Sequence, residues 1–402
     1  VGSAGCKAVV FDSAGSVRSS AYQEYPLSFA YPGGAELDCE RVLNACADVI
    51  RTAAAAAPAD AVRALAISAL GEAFTLVDPN GRPLRGAMVS MDARAAEYAK
   101  TFGDRFGGEN LYRLTGHTPY LMYPLFKLLW IRDNEPAVWA RAEKIYCFEE
   151  LLTARLGIEP AISWSLASRT MLFDIQRRDW SDAILDAVGL TRAQLARALP
   201  SGSLAGIIPA TAARAFGLPD GVRVAVGGHD QPCAALGAGV TTPGKAMYAT
   251  GTVECVCPAF SELRLSDDLM RANLCAYHYT MPDMYTTVAF SLTGGNILKG
   301  YSDQFAKPER AKADSLGVSP YDLILRSMPD APSPLTVLPY FAPSGTPHFD
   351  AATPGAVIGL RLTSTREELL KALLEGVAYE IRLNIDILRS SEIGRASCRE
   401  RV

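Results

Sequence analysis

The feature that most constrains this chain is a strand-turn-strand pattern that occurs twice. VGSAGCKAVVFD at residues 1–12 and TTPGKAMYATGTVECV at residues 241–256 each place a turn of small residues between β-branched strands. A pattern repeated at this distance indicates two related halves. The chain also has 402 residues, more than the roughly 250–300 at which a single core stops growing. We therefore predict two domains, residues 1–243 and 244–391.

The order of elements in the first half predicts an α/β fold. The strand CKAVVFD is followed by an amphipathic helix at residues 40–57, which Pro58 ends, and by a buried strand at residues 62–70. Residues 122–200 carry mainly helical periods. Strands that alternate with helices in this way are typical of a sheet covered by helices.

Composition excludes several classes of protein. The 39 Lys and Arg against 43 Asp and Glu give a net charge of −4, which argues against a nucleic-acid partner because phosphate neutralisation needs clustered cations. No uncharged apolar run is long enough for a membrane span. The nine Cys are scattered without metal-ligand spacing, as is typical of buried thiols in a reducing compartment. We expect a cytoplasmic protein with no bound metal cluster.

The stretch GGHDQPCAALGAG carries the most chemical information. Gly227 and Gly228 allow a sharp exit from a strand. His229 and Asp230 then lie between that strand and a helix, where ligands bind in open α/β sheets. An acidic residue there is suited to accept a proton from a substrate hydroxyl. Alternatively, Asp230 only caps the helix, and the pattern alone leaves both interpretations open.

Three glycine-containing turns are candidates for phosphate binding. Gly251 and Thr252 lie between apolar strands, GSAG at residues 2–5 has the same form, and Gly294-Gly295 lies at a strand-to-helix junction. Backbone N–H groups in such turns can surround phosphate oxygens. On the pattern alone, an ordinary hairpin turn is the more common explanation of the first two turns, and tight packing is the alternative for Gly294-Gly295.

Three charged residues stand in apolar surroundings. Glu72 interrupts ISALGEAFTLVD within a predicted strand region, and Asp92 and Arg94 follow another apolar run. Such groups can hold sugar hydroxyls by hydrogen bonds. The alternative is a local ion pair with a helix cap.

Together these stretches resemble the FGGY family of carbohydrate kinases over residues 1–389. Two long patterns carry the resemblance: MYPLFKLLWIRDN at 122–134 and GAVIGLRLTSTREELLKALLE at 355–375. The resemblance implies an α/β fold with two actin-like (ribonuclease H-like) lobes and an interlobe cleft. It assigns sugar binding and the catalytic base to the first lobe, and the nucleotide to the second.

The resemblance also implies an activity. Asp230 would be the general base that takes a proton from a sugar hydroxyl as the oxygen attacks the γ-phosphate of Mg-ATP. ATP and Mg²⁺ are the expected cofactors. Mg²⁺ would be held through ATP, and Asp230 is the candidate residue of this chain for contacting it. The other implied site residues divide by ligand: Glu72, Asp92, Arg94, His229 and Gln231 for the sugar; Gly2, Ser3, Lys7, Gly251, Thr252, Gly294 and Gly295 for the nucleotide.

The substrate is expected to be a small sugar or polyol, because the chain is most similar to xylulokinase-type members. Those members carry a Met-His pair where this chain has Leu70-Gly71-Glu72. The alternative substrates are therefore another ketose, an aldonate such as gluconate, or a polyol such as glycerol. A degenerate, non-catalytic sugar-binding protein of the same fold is the rival hypothesis. A homodimer is possible.

The ends of the sequence give two further expectations. The family's first loop begins with an Asp that would stand just before Val1, and its adenine-contacting segment would follow the second pattern. Residues 392–402, EIGRASCRERV, have no hydrophobic period, and we predict that they are a non-native tail.

Overall fold

A computed structural model describes residues 1–57, 62–350 and 352–391. The predicted non-native tail and Pro58 lie outside the described residues. The chain folds as two compact units. The first unit contains Val1–Gly239 with two later segments, Ser261–Leu265 and Ala276–Thr286. The second unit contains Val240–Phe260, Ser266–Cys275 and the chain from Thr287 onward.

The described strands are short and lie in both units. They are β1 Gly5–Phe11, β2 Val17–Glu24, β3 Glu36–Leu37, β4 Ala64–Ala69, β5 Phe74–Val77, β6 Ala87–Met88, β7 Lys144–Cys147, β8 Ala161–Ser163, β9 Phe173–Asp174, β10 Asp179–Trp180, β11 Arg197–Leu199, β12 Leu204–Ile207, β13 Arg223–His229, β14 Ala246–Thr250, β15 Glu254–Phe260, β16 Tyr277–His278, β17 Tyr285–Thr286, β18 Ala289–Ser291, β19 Thr336–Leu338 and β20 Ala356–Ile358.

The described α-helices range from a single turn to seven turns. They are α1 Cys39–Ala55, α2 Ala96–Phe106, α3 Gly108–Thr115, α4 Pro124–Asn134, α5 Pro136–Trp139, α6 Phe148–Arg155, α7 Trp164–Arg169, α8 Asp182–Val188, α9 Ala210–Ala215, α10 Asp230–Gly237, α11 Asp267–Arg271, α12 Gly295–Phe305, α13 Lys307–Leu316, α14 Pro320–Arg326 and α15 Arg366–Ser390.

In the first unit, helix α1 forms where the sequence predicts it. The side chain of Asp38 accepts a hydrogen bond from the backbone N–H of Arg41 at 3.0 Å and so caps the first turn. The apolar face then packs on the hairpin of β1 and β2 and buries a stripe of helical spacing. Its largest members are Val42, Leu43, Cys46, Val49 and Ile50.

The sheet of the first unit that leads to the site has the order β12-β13-β4, with β13 parallel to β4 and antiparallel to β12. The register of β13 shifts between Ala225 and Gly228. Gly227 lies in this irregularity, where a Cβ would approach the carbonyl oxygen of Ile67 to 1.9 Å, so only glycine fits. The irregular strand ends at His229 and passes directly into α10.

The second unit is built around the β14-β15 hairpin. Strand β15 also pairs with β18 in antiparallel fashion. Helix α15 begins with a capping box in which Thr365 and Glu368 satisfy each other's backbone N–H groups at 3.1 and 2.9 Å. Its apolar face packs on α12 and β19 around Leu370, Leu373 and Val377.

One local expectation needs correction. Glu72 does not lie in a strand, since β4 ends at Ala69 and β5 begins at Phe74; it lies on the connection between them. Residues 122–200 are mainly helical, as predicted, and short strands β7 to β11 lie between their helices. Seven of the eight described cysteines are buried, and Cys255 and Cys257 lie among them on β15, as the sequence indicates.

Candidate active site

Asp230 is the first residue of α10, at the carboxyl end of β13. Its side chain keeps 40% of its surface exposed, and its Oδ1 lies 3.2 Å from Nε2 of the buried His229. Helix α10 has no side-chain hydrogen bond at its cap, which is His229. The capping interpretation of Asp230 is therefore not supported, and its carboxylate is available to a ligand.

Both the backbone and the ring of His229 are fixed by hydrogen bonds. Its backbone N–H donates to Oγ of Ser165 at 3.1 Å, and its Nδ1 lies 2.9 Å from the hydroxyl of Tyr277. The ring fills the space beside Gly71, where a Cβ would come within 2.6 Å of Nε2. Gly71 thus admits the imidazole, and the imidazole in turn faces Asp230.

The buried carboxylate of Glu149 stabilises the irregular part of β13. One carboxylate oxygen accepts from the backbone N–H of Gly227 and the other from that of Ser163, both at 2.8 Å. Burial raises the pKa of Glu149 to about 7, although the hydrogen bonds from Ser163 and Gly227 oppose this shift. Glu149 was not among the predicted site residues; its signal was a Glu pair at the start of the apolar run EELLTARLG.

Glu72 forms a buried ion pair with Arg169. Nε of Arg169 lies 2.6 Å from Oε1 of Glu72, and a second guanidinium nitrogen contacts the same oxygen. The guanidinium carbon also lies 5.1 Å from the ring centre of Tyr123 and 5.4 Å from that of Tyr277. Since Tyr277 bonds to His229, the structure brings Glu72, His229 and Asp230 into one polar cluster.

Asp92 and Arg94 form a second buried network. Asp92 is fully buried and accepts from the backbone N–H of Ala35 at 2.8 Å, and Nε of Arg94 lies 3.0 Å from its Oδ1. Arg94 also bonds to Glu36 at 2.5 Å and stacks on Trp130 at 4.6 Å. Burial lowers the pKa of Arg94, but the hydrogen bonds that its guanidinium donates to Asp92 and Glu36 outweigh this effect and raise the pKa overall. The ion-pair interpretation holds here, whereas the cap of α2 is Ala95, not Asp92.

Lys127 connects the two networks electrostatically. Its ammonium group is buried and donates to the carbonyl oxygens of Val89 and Met122 at 2.6 and 2.8 Å. Burial lowers the pKa of Lys127 to about 7, while the nearby charges of Glu72 and Asp92 act in the opposite direction. The ammonium therefore ties the segment before Asp92 to the start of α4.

Gln231 follows Asp230 and has a buried amide oxygen, Oε1, with no hydrogen-bond partner among the described residues. A buried acceptor left without a donor costs about 1–3 kcal/mol. Such an orphan atom beside a half-exposed carboxylate fits a site that a polar ligand completes.

The first predicted phosphate turn is closed by a bond from the N–H of Gly2 to the carbonyl of Gly5 at 2.9 Å. The hydroxyl of Tyr25 donates to the carbonyl of Gly2 at 2.7 Å. Ser3 in the turn and Lys7 on β1 are exposed. The turn presents the hydroxyl of Ser3 and the strand that follows presents the cation of Lys7, and both groups suit a phosphate.

The second unit brings its four predicted nucleotide residues together. Gly251 and Thr252 are exposed in the β14-β15 turn, and the N–H of Gly295 donates to the carbonyl of Gly251 at 2.7 Å. A Cβ on Gly295 would approach that oxygen to 2.6 Å. Gly294 precedes α12, and its N–H donates to the side chain of Asn296 at 2.8 Å. The turn is therefore held against the start of a helix.

Three of the residues that build the first-unit site were not predicted. They are Glu149, Arg169 and Tyr277, which reach the site from α6, α7 and β16. No group of acidic, His or Cys side chains within the described ranges has the arrangement of a metal site. No helix in the part of the chain that the structure describes has the length and apolar character to cross a bilayer.

Comparison with known proteins places this arrangement in a family. The model of the FGGY family of carbohydrate kinases, N-terminal domain, matches residues 1–237, and that of the C-terminal domain matches residues 246–397. The chain belongs to the FGGY family of carbohydrate kinases. It is an ATP-using phosphotransferase of α/β, actin-like two-domain fold, so the predicted family, fold class and type of enzyme are confirmed.

Its relatives include kinases for different sugars. A xylulose kinase from Lactococcus lactis is 28% identical over 98% of this chain and 76% of its own length. A gluconokinase from Bacillus subtilis is 24% identical over 95% of this chain and 74% of its own. The crystal structure of xylulose kinase from Rhodospirillum rubrum has a TM-score of 0.85 at 24% identity, and covers 98% of this chain and 78% of its own.

Proposed function

We propose that this protein phosphorylates a hydroxyl group of a small sugar, with ATP as the donor and Asp230 as the general base. The observation that carries the proposal is the position of Asp230. Its half-exposed carboxylate follows the end of β13 and lies beside the imidazole of His229, which in turn contacts the Tyr277 hydroxyl. Asp230 takes the hydroxyl proton as the sugar oxygen attacks the γ-phosphorus and ADP leaves. Most of the catalysis then comes from positioning and charge stabilisation.

The remaining residues divide the work. His229 donates to the Asp230 carboxylate and keeps it oriented, while the Glu72-Arg169 pair supplies a rigid polar wall for sugar hydroxyls. Gln231 offers its unpartnered amide oxygen to another hydroxyl. The exposed turns at Ser3 and Thr252 are the proposed contacts for ATP phosphates. Mg²⁺ prefers carboxylate, phosphate and water oxygens, and Asp230 is the described group suited to it.

Asp230→Asn tests the assignment of the base. It keeps size and hydrogen-bonding shape but accepts no proton, so we expect kcat to fall by roughly 10²–10⁴-fold with little change in the melting temperature. The assay is sugar-dependent release of ADP. Asp186→Asn, an exposed Asp on α8, is the matched control. Undiminished turnover by Asp230→Asn would contradict the role of Asp230.

We propose xylulose as the first candidate substrate, and gluconate as the second. The support is the similarity to a xylulose kinase and to a gluconokinase, together with the Arg169 cation in the sugar-side cluster. Leu70-Gly71-Glu72 stands where xylulokinase-type members carry a Met-His pair. The ring of His229 occupies the space beside Gly71 that a Cβ would need. Comparing kcat/KM for xylulose, gluconate and glycerol decides between them. A chain that binds a sugar without releasing ADP would instead support the non-catalytic hypothesis.

A further inference from the structure

The proposed base and the cation of Arg169 stand on elements of two different sheets. Strand β13, which leads into Asp230, belongs to the sheet β12-β13-β4, whereas β8, which leads into the helix of Arg169, pairs with β11. In the part of the chain that the structure describes, no strand pairing joins these two sheets. Side chains must therefore set the position of one relative to the other.

The carboxylate of Glu149 bonds to both sheets at once. One oxygen accepts from the backbone N–H of Gly227 in β13, and the other accepts from that of Ser163 at the end of β8, both at 2.8 Å. Glu149 is only 1% exposed, so water does not compete for these oxygens. Hydrogen bonds to an ionised group are stronger than neutral ones, and two of them on two oxygens hold the carboxylate in one orientation.

A short chain of hydrogen bonds continues from Ser163 to the residue beside the base. The hydroxyl of Ser163 accepts from the N–H of Leu166 and so caps α7, and the hydroxyl of Ser165 donates to it at 3.2 Å. The Ser165 hydroxyl also accepts from the backbone N–H of His229 at 3.1 Å. Gly228 permits this approach, because a Cβ there would lie 2.9 Å from the Ser165 oxygen. The start of α7 is thus bonded to the end of β13.

Helix α7 moves as one piece. It has six residues, so its capped start and Arg169 at its end cannot shift independently. Nε of Arg169 lies 2.6 Å from Oε1 of Glu72. A displacement of this helix relative to β13 would therefore displace the Glu72-Arg169 pair relative to Asp230.

We propose that Glu149 is a positioning residue for phosphoryl transfer, which fixes the base Asp230 relative to the ion pair of Arg169. The inference rests on the proposed function, in which both groups contact one sugar. Glu149 is buried and acts through the two backbone N–H groups from which it accepts. Because transfer depends on holding the attacking hydroxyl against the base, a misplacement of about 1 Å can lower the rate on the order of 10²-fold.

Glu149→Gln and Glu150→Gln form a matched pair for the test. Both side chains lie in the first turn of α6 and are buried, at 1% and 2% exposure, but Oε2 of Glu150 has no hydrogen-bond partner among the described residues. Glutamine keeps one acceptor oxygen and turns an NH₂ donor toward the second backbone N–H, so Glu149→Gln loses one of its two bonds. We expect its kcat to fall roughly 10–100-fold with the KM for ATP unchanged, and normal kinetics for Glu150→Gln.

Two further readouts separate positioning from stability. Assays at pH 8 keep Glu149 ionised, because its pKa is about 7, and a merely structural role would lower the melting temperature while leaving the kcat of the folded protein intact. Amide hydrogen exchange reports on the backbone without turnover. In Glu149→Gln we expect faster exchange at His229 and at Gly227 or Ser163, and in Glu150→Gln no change at these positions.

Normal kcat in Glu149→Gln would overturn the inference, and so would an equal loss of kcat in both variants or unchanged exchange at His229. Failure of the proposed function looks different: the unmodified chain would release no ADP with any sugar. Faster exchange at His229 in Glu149→Gln alone would then still support the positioning role, and unchanged exchange would overturn it.

Glu149→Asp serves where Glu149→Gln does not fold. Aspartate keeps the charge but is shorter by one CH₂, so it cannot reach both backbone N–H groups. We expect the same loss of kcat with the KM for ATP unchanged, and Glu150→Asp as its control should keep normal kinetics. Normal kcat in Glu149→Asp would overturn the inference.

Discussion

The hydroxyl of Tyr277 lies against the ring nitrogen of His229 that is turned away from Asp230. Nε2 of His229 lies 3.2 Å from Oδ1 of Asp230, and Nδ1 lies 2.9 Å from the Tyr277 hydroxyl. A carboxylate only accepts, so a proton shared with Asp230 must be on Nε2, and Nδ1 can then accept from Tyr277. We propose that the buried phenol fixes this tautomer and the orientation of the residue beside the proposed base. This makes Tyr277 a positioning residue.

Tyr277→Phe should lower kcat while leaving the KM for ATP unchanged. Loss of the hydroxyl leaves Nδ1 without its donor, which costs about 1–3 kcal/mol, so a fall of roughly tenfold or more is expected. Steady-state kinetics with the preferred sugar measures it, and Tyr321→Phe on the exposed face of α14 is the control. A lower melting temperature with kcat intact would assign Tyr277 to stability alone.

Single residues differ in how far the sequence predicts them. Asp230 and His229 stand out because they follow two glycines at the end of an apolar strand. Tyr277 does not, because its contact with His229 spans 48 positions and belongs to a segment of the first unit that returns late in the chain. Arg169 is similar, since its partner Glu72 lies 97 positions away. Local patterns carry no signal for such contacts.

At the scale of elements, helix α4 carries a titratable group at its buried face. The ordinary pKa of Lys127 is 10.5 and burial lowers it to about 7, against the pull of Glu72 and Asp92 and with the help of Arg94. Between these two pKa values the unfolded chain still binds a proton that the folded chain has released. The free energy of unfolding therefore rises with pH across that window, and Lys127 costs most stability below pH 7.

Lys127→Met should remove that rise. The free energy of unfolding of the unmodified chain should increase between pH 7 and pH 9, by up to roughly 1.4 kcal/mol per pH unit from this group, and that of Lys127→Met should be flatter. Urea unfolding at several pH values measures both. Lys100→Met, an exposed change on α2, should keep the slope. Identical slopes in all three proteins would contradict the shifted pKa.

Elements with a strong local period or cap are predictable from the sequence. Helix α1 has its apolar stripe and Asp38 cap, and α15 has its capping box. The irregularity in β13 is different, because it depends on Glu149 accepting from Gly227 across 78 positions. The two glycines predict a sharp exit from the strand. The Glu149 carboxylate that stabilises this irregular backbone cannot be predicted from the local sequence, because it contacts Gly227 only in the folded chain.

At the scale of the whole molecule, the repeat that opened the sequence has a physical counterpart in each unit. The first unit carries the Gly2–Gly5 turn, and the second carries the turn at Gly251 and Thr252. The two turns are supported differently: Tyr25 holds the first, whereas the start of α12 holds the second. The boundary at 243/244, the cytoplasmic location and a homodimer stay predictions.

Gly295→Ala tests the assignment of the nucleotide to the second unit. Its Cβ would approach the carbonyl of Gly251 to 2.6 Å, so the turn that presents Thr252 must shift. We expect the Kd for a non-hydrolysable ATP analogue to rise about tenfold, equivalent to about 1.4 kcal/mol, while the Kd for the sugar stays the same. Calorimetric titration with each ligand measures this separation.

The control lies on the same helix. Gly300 on α12 has open space where a Cβ would be built, and alanine favours a helix over glycine by up to about 1 kcal/mol. Gly300→Ala should therefore bind the ATP analogue normally and unfold at an equal or higher temperature. If Gly295→Ala weakened sugar binding as much as nucleotide binding, the two ligands could not be assigned to separate units. If neither affinity changed, the turn at Gly251 and Thr252 would not be a phosphate contact.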